Sequence, residues 1–396
     1  MIEVLSDKLK DLLQKYGWII VFLLMIPFLN DGYVGFKPID DWLMEIFKNL
    51  SFVLLILLMF LKKHKPSPLF LVLVAMQIWW LIATLVNYPL SEDVVYHKLW
   101  FDIIDSWSVA LLVECFSDDP RSLFDGLMIN LELCIYPDLV TKIMDYPGNN
   151  YFILGYYSLA ILWILPAIIT ASGYMNYHKR YLRGGLLIVA SLVLTILLGC
   201  ATITVAVLGF LGVTVLGLLL SRISKKRNLV IPAWLLLALA LLGNVFVLFI
   251  YTGGKFPLID LFIEKFLHKS TTFTQRTIIW ENAIKMIKEK PLIGHGYRPE
   301  VIGHKGNTFI HAHNQLLQQL NARGLIGFVL FLLFHIVLAR KLDKTDNSFM
   351  RTIALAVSFA VWITYMTEGY KKFFRLYLVM FIAYHIKELI LRKKDE

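Results

Sequence analysis

Two histidines and an asparagine stand where a polar stretch of the sequence gives way to an apolar run. The stretch reads "HAHNQLLQQLNARGLIG" and covers residues 311–327. Histidine titrates near neutral pH, so His311 or His313 can serve as a general base. Upstream, Arg276 carries a planar guanidinium that can hold a phosphate through two parallel hydrogen bonds. The residues thus offer a base and a phosphate ligand, and the rest of the chain must bring them together.

The composition identifies the chain as an integral membrane protein. Of its 396 residues, 58% are hydrophobic and only 17% are charged, whereas soluble domains are about a quarter charged. Apolar runs long enough to cross a hydrocarbon layer about 30 Å thick recur along the sequence. The net charge of +10 falls in short basic runs between them, which is the pattern that orients membrane proteins. We therefore predict an all-α polytopic protein that lies in the lipid bilayer and binds no nucleic acid.

The apolar runs predict about 12 transmembrane helices. They are centred near residues 24, 54, 78, 108, 132, 162, 192, 211, 240, 328, 358 and 380. With both termini in the cytoplasm, all the basic runs fall on the cytoplasmic side. The prediction divides the chain into a cytoplasmic amphipathic segment (1–16), nine spans (17–251), one large extracytoplasmic loop (252–312), three spans (313–390) and a cytoplasmic tail (391–396).

The extracytoplasmic loop is the only long segment outside the predicted spans, and long structured loops are often functional. Within it, "TQRTIIWENAIKMIKEK" has apolar residues at helical spacing, which predicts an amphipathic helix on the membrane surface. The stretch "PLIGHGYRPE" follows, and its Pro291, Gly294 and Gly296 predict that the helix ends there. We therefore expect the protein to act through this loop.

The order of these motifs resembles the signature of the O-antigen ligase and Wzy-type polysaccharide polymerase superfamily. Arg276 opens R-x3-W-x2-A, "PLIGHG" supplies P-x2-G-x-G, and "HAHN" opens H-x-H-N-x9-G-x2-G. In that superfamily a polytopic membrane enzyme carries the signature on a large extracytoplasmic loop between two late spans. The motifs cover roughly residues 270–330, and the order of the spans extends the resemblance to the whole chain.

The resemblance implies a glycosyltransferase that uses undecaprenyl-diphosphate-linked oligosaccharide as donor and acceptor. It makes His313 the general base for the attacking sugar hydroxyl, and Arg276 a ligand of the diphosphate. Because the donor is already activated, we expect no metal or other cofactor, and attack opposite the leaving group would invert the anomeric carbon. Further candidate substrate-binding residues are His311, Asn314, Arg298 and Arg323.

Structural roles stay open for several of these residues. Asn314 can instead cap the helix of the next span, with His313 as a loop residue beside it. Gly324 and Gly327 suit close helix packing better than chemistry. The residues that can either line a sugar groove or bond between helices are Gln315, Gln318 and Gln319.

The sequence departs from the superfamily at two positions. Many members carry a second arginine near the outer start of a middle span, where this chain reads "LLGCATITVAV" without a basic residue. Conversely, Arg323 precedes G-x2-G at a position that is often acidic or neutral. A charge within a span is costly unless it is paired or faces a wet cavity. Arg323 can therefore supply the second phosphate contact, or pair with a buried acid such as Glu132.

A metal site is one alternative use of the loop histidines. The candidate ligands are His295, His304, His311 and His313. However, the acids of the loop lack a metal-binding spacing. The cysteines Cys115, Cys134 and Cys200 lie in apolar segments, so we expect them to be buried core residues. We therefore predict no metal site.

The resemblance leaves two versions of the reaction open. A polymerase extends a capsule, exopolysaccharide or O-antigen chain, whereas a ligase transfers the glycan to another acceptor such as a lipid A core. The Lys-, Ile- and Asn-rich composition favours the polymerase. A transporter such as a lipid-linked sugar flippase is the alternative from another class, but the chain lacks an internal repeat and its polarity is concentrated in one loop. We expect a bacterial plasma (inner) membrane protein that works with a flippase and a chain-length regulator of the same pathway.

Overall fold

The computed structural model describes residues 2–29, 33–34, 37–38, 41–144, 157–223, 230–251, 276–297, 299–303, 307–309, 311–346, 348–366, 368–369 and 373–391. Within these ranges the chain forms fourteen α-helices, one short 3₁₀ helix and two small antiparallel sheets. The predicted all-α class is confirmed.

The elements follow one another in a simple order. The first nine helices are α1 (Ile2–Leu29), α2 (Asp41–Leu61), α3 (Pro68–Asn87), α4 (Asp93–Phe116), α5 (Pro120–Ile143), α6 (Ile161–His178), α7 (Tyr181–Leu198), α8 (Ala201–Ile223) and α9 (Ala233–Tyr251). The other five are α10 (Arg276–Glu289), α11 (Gln315–Asp343), α12 (Phe349–Thr364), α13 (Phe374–Tyr384) and α14 (Ile386–Leu391). The 3₁₀ helix Tyr157–Ala160 precedes α6, β1 (Tyr33–Val34) pairs with β2 (Lys37–Pro38), and β3 (Val301–Ile302) pairs with β4 (Thr308–Phe309).

A helix lies at each of the twelve positions where the sequence predicts a span. Among the described residues, six helices are long and apolar enough to cross a membrane, namely α2, α3, α6 with its 3₁₀ turn, α7, α8 and α11. Shorter apolar stretches occur in α1, α9, α12 and α13. The remaining two, α4 and α5, contain acidic residues. The prediction of a polytopic membrane protein is therefore confirmed.

The centre of the bundle consists of α6, α12 and α13. The α6 residues from Ile161 to Tyr174 are all buried, as is the whole of α13. Around this centre α1 packs on α5, α2 on α4, α3 on α11 and α8 on α12. The outer helices expose large apolar side chains such as Phe60 and Leu242, as contact with lipid requires.

Two acidic residues inside α5 are paired with neighbouring helices. Arg183 of α7 donates hydrogen bonds of 2.8 and 2.6 Å to the two carboxylate oxygens of Glu132. The Nε2 atom of His178 lies 2.7 Å from a carboxylate oxygen of Asp125. These contacts explain how a helix with acidic residues packs among apolar ones. The three cysteines are buried, which confirms that they are core residues.

Two further features bear on the site. The predicted surface segment 1–16 is continuous with the first span in the single helix α1, which contains Pro27. Near the other end of the chain, α10 packs against both β3 and α11. The start of α10 is thereby held beside the start of α11, which brings Arg276 close to the "HAHN" stretch.

Candidate active site

The helix α10 positions Arg276. As the spacing predicts, the stretch after Arg276 is an amphipathic helix with one buried face. That face contributes Ile279, Trp280 and Ala283 to a small apolar cluster. The cluster also contains Val301, Ala312 and Leu317. Because Ala312 and Leu317 flank the start of α11, this packing fixes the arginine end of α10 near the two histidines.

Asn314 caps α11 and holds the histidine segment in place. Its side-chain oxygen accepts a hydrogen bond of 3.0 Å from the backbone N–H of Leu317. Its amide nitrogen donates to the side-chain oxygen of Asn244 at 2.9 Å and to the carbonyl of Met366 at 3.1 Å. The side chain is fully buried. The capping role that the sequence left open is therefore confirmed, and substrate binding by Asn314 stays a prediction.

His313 adopts an unusual backbone conformation just before this cap. Its φ is 48°, in the left-handed region that non-glycine residues seldom occupy. Such conformations cost free energy and persist where the surroundings enforce them, frequently at functional sites. Here both neighbours of His313 enforce this conformation. The capped helix α11 follows it, and Ala312 precedes it with its N–H donating to the side-chain oxygen of Gln318 at 2.9 Å.

A buried carboxylate joins Arg276 to His313. Arg276 donates a hydrogen bond of 2.9 Å from Nη2 to Oε1 of Glu368. The other oxygen of Glu368, Oε2, lies 3.5 Å from Nδ1 of His313. Glu368 is 7% exposed and belongs to the short connection between α12 and α13. Three segments that are far apart in the chain therefore meet at one carboxylate.

The surroundings keep Glu368 ionised. Burial alone raises the pKa of a carboxyl group, but here the contact with His313 and the positive charge of Arg276 outweigh it. The pKa of Glu368 is therefore lower than its ordinary value of 4.5. At neutral pH the carboxylate is a fixed negative charge facing the ring of His313.

The two histidines of the motif lie against each other. The ring centroids of His311 and His313 are 4.1 Å apart, with the ring planes at 74°. Phe309 contacts His313 edge to face at 5.6 Å. His311 is also part of the wall of a cavity that extends along α11. His311 thus connects the cluster of Arg276, His313 and Glu368 to that cavity.

Arg323 faces this cavity and not Glu132. Its guanidinium carbon lies 4.1 Å from the ring centroid of Trp80, and both residues line the cavity together with Tyr377. Glu132 is engaged by Arg183. The alternative prediction of an Arg323–Glu132 pair is therefore wrong, because the two residues belong to different parts of the bundle.

The helix α11 is broken at Gly324, directly after Arg323. Gly324 has φ 61° and ψ −167°, and a Cβ atom there would overlap the carbonyl of Leu292. The "PLIGHG" segment replaces the lost helical hydrogen bonds. The N–H of His295 donates to Asn321 at 2.8 Å, and the N–H of Leu325 donates to Pro291 at 2.8 Å. The two glycine motifs therefore dock on each other, which confirms packing as the role of Gly324.

Of the remaining predicted residues, His295 lies within the described part of the chain and two others lie outside it. His295 donates to the backbone carbonyl of Met286 at 2.8 Å, which gives it a structural part. Among the described residues no group of three or more His, Cys, Asp or Glu side chains could hold a metal ion. The predicted candidates that lie outside the described residues are Arg298 and His304.

Glu368 is the residue of this cluster that sequence reasoning missed. It belongs to none of the motifs and follows them along the chain by a whole span. The one signal in the sequence is its place in a connection that the predicted topology puts on the same side as the large loop. That signal indicates a side of the membrane, but no partner.

Comparison with known proteins points to one family. Residues 186–332 match the sequence profile of the O-antigen ligase family. Proteins of Rickettsia conorii and Rickettsia felis are each 27% identical to this chain over 143 residues, and one of Rickettsia bellii is 29% identical over 143 residues. All three are provisionally described as polysaccharide ligases. The chain spans about a third of the length of these relatives, since the alignments cover 33% of it and 34% of them. The predicted resemblance is confirmed.

Proposed function

We propose that this chain, which carries an O-antigen ligase domain over residues 186–332, is a membrane glycosyltransferase that acts on lipid-linked oligosaccharides. The donor is an undecaprenyl-diphosphate-linked glycan. The observation that carries the proposal is the ionised Glu368, which contacts Arg276 and His313 at once. A carboxylate behind a histidine is an arrangement that supports general-base catalysis.

His313 is the proposed base. Its Nδ1 atom lies 3.5 Å from Oε2 of Glu368, so the carboxylate would favour a proton on Nδ1 and leave Nε2 to accept one. In the reaction the acceptor hydroxyl loses its proton to Nε2 while its oxygen attacks the anomeric carbon of the donor. The bond from that carbon to the diphosphate breaks, and undecaprenyl diphosphate leaves with the electron pair. Attack opposite the leaving group inverts the anomeric centre.

Arg276 is proposed to stabilise the departing diphosphate. A guanidinium is always charged and presents several donors in one plane, so it can serve a carboxylate and a phosphate together. The ion pair with Glu368 at 2.9 Å holds its side chain beside the base. Negative charge grows on the diphosphate as the bond breaks, and a fixed cation there lowers the barrier.

The other predicted contacts complete the proposed substrate site. His311 lies against His313 and is suited to orient a sugar hydroxyl. Asn314 holds the backbone of the base through its cap. Arg298 and Arg323 remain proposed contacts to the substrate. Because the donor carries a good leaving group, the proposed chemistry needs neither a metal nor a nucleotide.

The reaction proposed first is polymerisation of repeat units into capsule, exopolysaccharide or O-antigen. Transfer of the glycan to another acceptor is the second candidate, and the descriptions of the Rickettsia relatives as polysaccharide ligases favour it. In both versions the loop 252–312 faces outward from a bacterial plasma membrane, and both termini lie in the cytoplasm. A flippase would supply the donor, and a chain-length regulator would act with the polymerase version.

The test is incubation of the purified protein with a synthetic lipid-linked repeat unit. A ladder of products indicates polymerisation, and a single transfer to an added acceptor indicates ligation. The His313→Ala variant should bind the donor but lose about 10²–10⁴-fold in rate. The matched control is His97→Ala, which alters a side chain that is 56% exposed on α4 and should retain full activity. Near-normal turnover by His313→Ala would refute the proposed base.

A further inference from the structure

The cavity along α11 has the features of a binding site in its own right. We call it the α11 cavity. Its empty volume is about 670 Å³, a figure that includes the open space at its mouth. Its walls come from α3, α4, α11 and the start of α13. The residues that matter for its chemistry are Gln77, Trp80, Gln315, Gln319, Arg323 and Tyr377.

The Nε1 atom of the half-buried Trp80 has no hydrogen-bond partner among the described residues, and the same is true of four polar atoms of more deeply buried wall residues. They are the Oε1 atoms of Gln77, Gln315 and Gln319, and the Nη1 atom of Arg323. The four side chains are 1%, 3%, 4% and 6% exposed, respectively. Buried polar groups are nearly always hydrogen-bonded, because leaving them without a partner is costly. Four such atoms around one cavity indicate that a polar ligand completes their hydrogen bonds.

The arrangement of the walls indicates a sugar. The three amide oxygens can accept hydrogen bonds, and a sugar ring has several hydroxyl groups that can donate them. The aromatic side chains of Phe373 and Tyr377 line the same space and add apolar surface for the C–H groups of a ring, while the ring of Trp80 lies against the guanidinium of Arg323. A cavity that combines apolar walls with a few polar groups is the usual form of a specific small-molecule site.

Arg323 indicates that the sugar carries a negative charge. Its guanidinium is buried deep in the bundle, and a buried cation is stabilised most by an anion. Asp102 also lines the cavity and interacts electrostatically with Arg323, but its carboxylate accepts a hydrogen bond of 3.0 Å from the hydroxyl of Tyr297. The Nη1 atom of Arg323 still has no partner among the described residues. An anionic group would be repelled by Asp102 and attracted by Nη1, so the ligand would bind with that group towards Arg323.

We infer that the α11 cavity binds the terminal sugar of the acceptor and selects one that carries an anionic group. This inference rests on the proposed function, because only the acceptor presents a free chain end to the base. The first sugar of the donor is joined to lipid on one side and to glycan on the other, so it does not fit between deeply buried walls. His311 belongs both to the cavity wall and to the histidine pair, so the nucleophilic hydroxyl would lie next to His313.

Binding of simple glycosides to the purified protein tests the inference. Saturation-transfer NMR would compare a methyl glucuronide, a methyl glucoside and a phosphorylated methyl glucoside. The wild type and His313→Ala should both bind an anionic sugar at least about tenfold more tightly than the neutral one. A preference for the carboxylate or for the phosphate identifies which anion the cavity takes. The Arg323→Gln variant should lose this preference while it still binds the neutral glycoside.

A matched control and a second variant separate the effect of the charge from the effect of the hydrogen bonds. Arg340→Gln makes the same change at an exposed position of the same helix and should leave the preference intact. Gln319→Leu should weaken all three glycosides together, because it removes a hydroxyl acceptor and leaves Arg323 in place. Equal affinity of the wild type for neutral and anionic glycosides, or no binding of either, would overturn the inference. Sugar binding with no turnover of a lipid-linked donor would instead overturn the proposed function and leave the cavity assignment standing.

Discussion

Replacing Glu368 by glutamine is the most direct way to probe the cluster. The change keeps the size of the side chain and removes its charge. Oε1 now accepts a hydrogen bond from Arg276, and Oε2 faces Nδ1 of His313. An amide has one oxygen and one NH₂ group, so whichever way it turns, one of the two neighbours loses its acceptor. If the NH₂ faces His313, Nδ1 must accept and Nε2 carries the proton, so the ring cannot act as a base.

The size of the effect follows from the geometry. Loss of general-base catalysis costs about 10²–10⁴-fold. The separation of Nδ1 from Oε2 is 3.5 Å, which is longer than a strong charge-assisted hydrogen bond. We therefore expect the loss of rate in Glu368→Gln to be at the lower end of this range. It should be about 10²-fold, or about 2.7 kcal/mol of transition-state stabilisation.

The assay compares single-turnover rates on a saturating lipid-linked donor. Glu289→Gln is the matched control, because it removes an exposed carboxylate from α10 and should react at the wild-type rate. Donor binding to Glu368→Gln should persist, since the guanidinium of Arg276 is retained. A rate within about twofold of the wild type would refute the argument that Glu368 orients the base.

The same substitution has a signature in stability. The folded-state pKa of Glu368 is lower than 4.5, so its ion pair stabilises the fold above that pH and the stabilisation is lost as the pH falls through the folded-state pKa. Thermal unfolding of the wild type should therefore shift downwards in acid by more than that of Glu368→Gln. Parallel curves for the two proteins would contradict the assignment of an ionised carboxylate.

Three further expectations test the topology, the helix break and the arginine. A cysteine at Leu292, which is 58% exposed, should react with an impermeant reagent in intact cells, whereas one at Lys65 should not; the reverse labelling would invert the orientation. Gly324→Ala should lower the free energy of unfolding by about 1–3 kcal/mol because of its positive φ and the contact with Leu292, while Gly185→Ala, where a Cβ meets nothing within 4 Å, should be neutral in thermal unfolding. Arg276→Lys keeps the charge but loses the planar fork, so donor affinity and turnover should both fall, and unchanged donor affinity would argue against a diphosphate contact.

The helices could be predicted from the sequence because lipid imposes a simple pattern. Apolar runs of sufficient length gave all twelve helix positions, and the spacing of apolar residues after Arg276 gave α10 with its buried face. These features are local, so a single stretch of sequence contains them. The capping role of Asn314 was also foreseeable from its place before an apolar run.

The contacts between distant segments could not be predicted in the same way. The sequence around Glu368 does not indicate its contact with Arg276, because that contact depends on how α10, α11 and α12 pack. The pairing of Arg323 with Glu132 failed for the same reason. Both residues lie in apolar runs, and composition does not tell which acid a buried arginine faces. In the structure, Glu132 is hydrogen-bonded to Arg183.

The break in α11 has a consequence for exchanging parts between related proteins. The segment that starts at Pro291 satisfies most of the backbone groups exposed at Gly324, and that segment in turn depends on Asn321 and Leu325. The carbonyl of Arg323 accepts a hydrogen bond of 2.8 Å from Nε1 of Trp79. The segment that starts at Pro291 and the broken helix therefore form one cooperative unit. A chimaera that swaps the loop alone to change specificity would remove the acceptors of the Leu325 and Ile326 N–H groups, and main-chain donors without partners are costly in an apolar environment. Loop and helix would have to be transplanted together for the hybrid to fold.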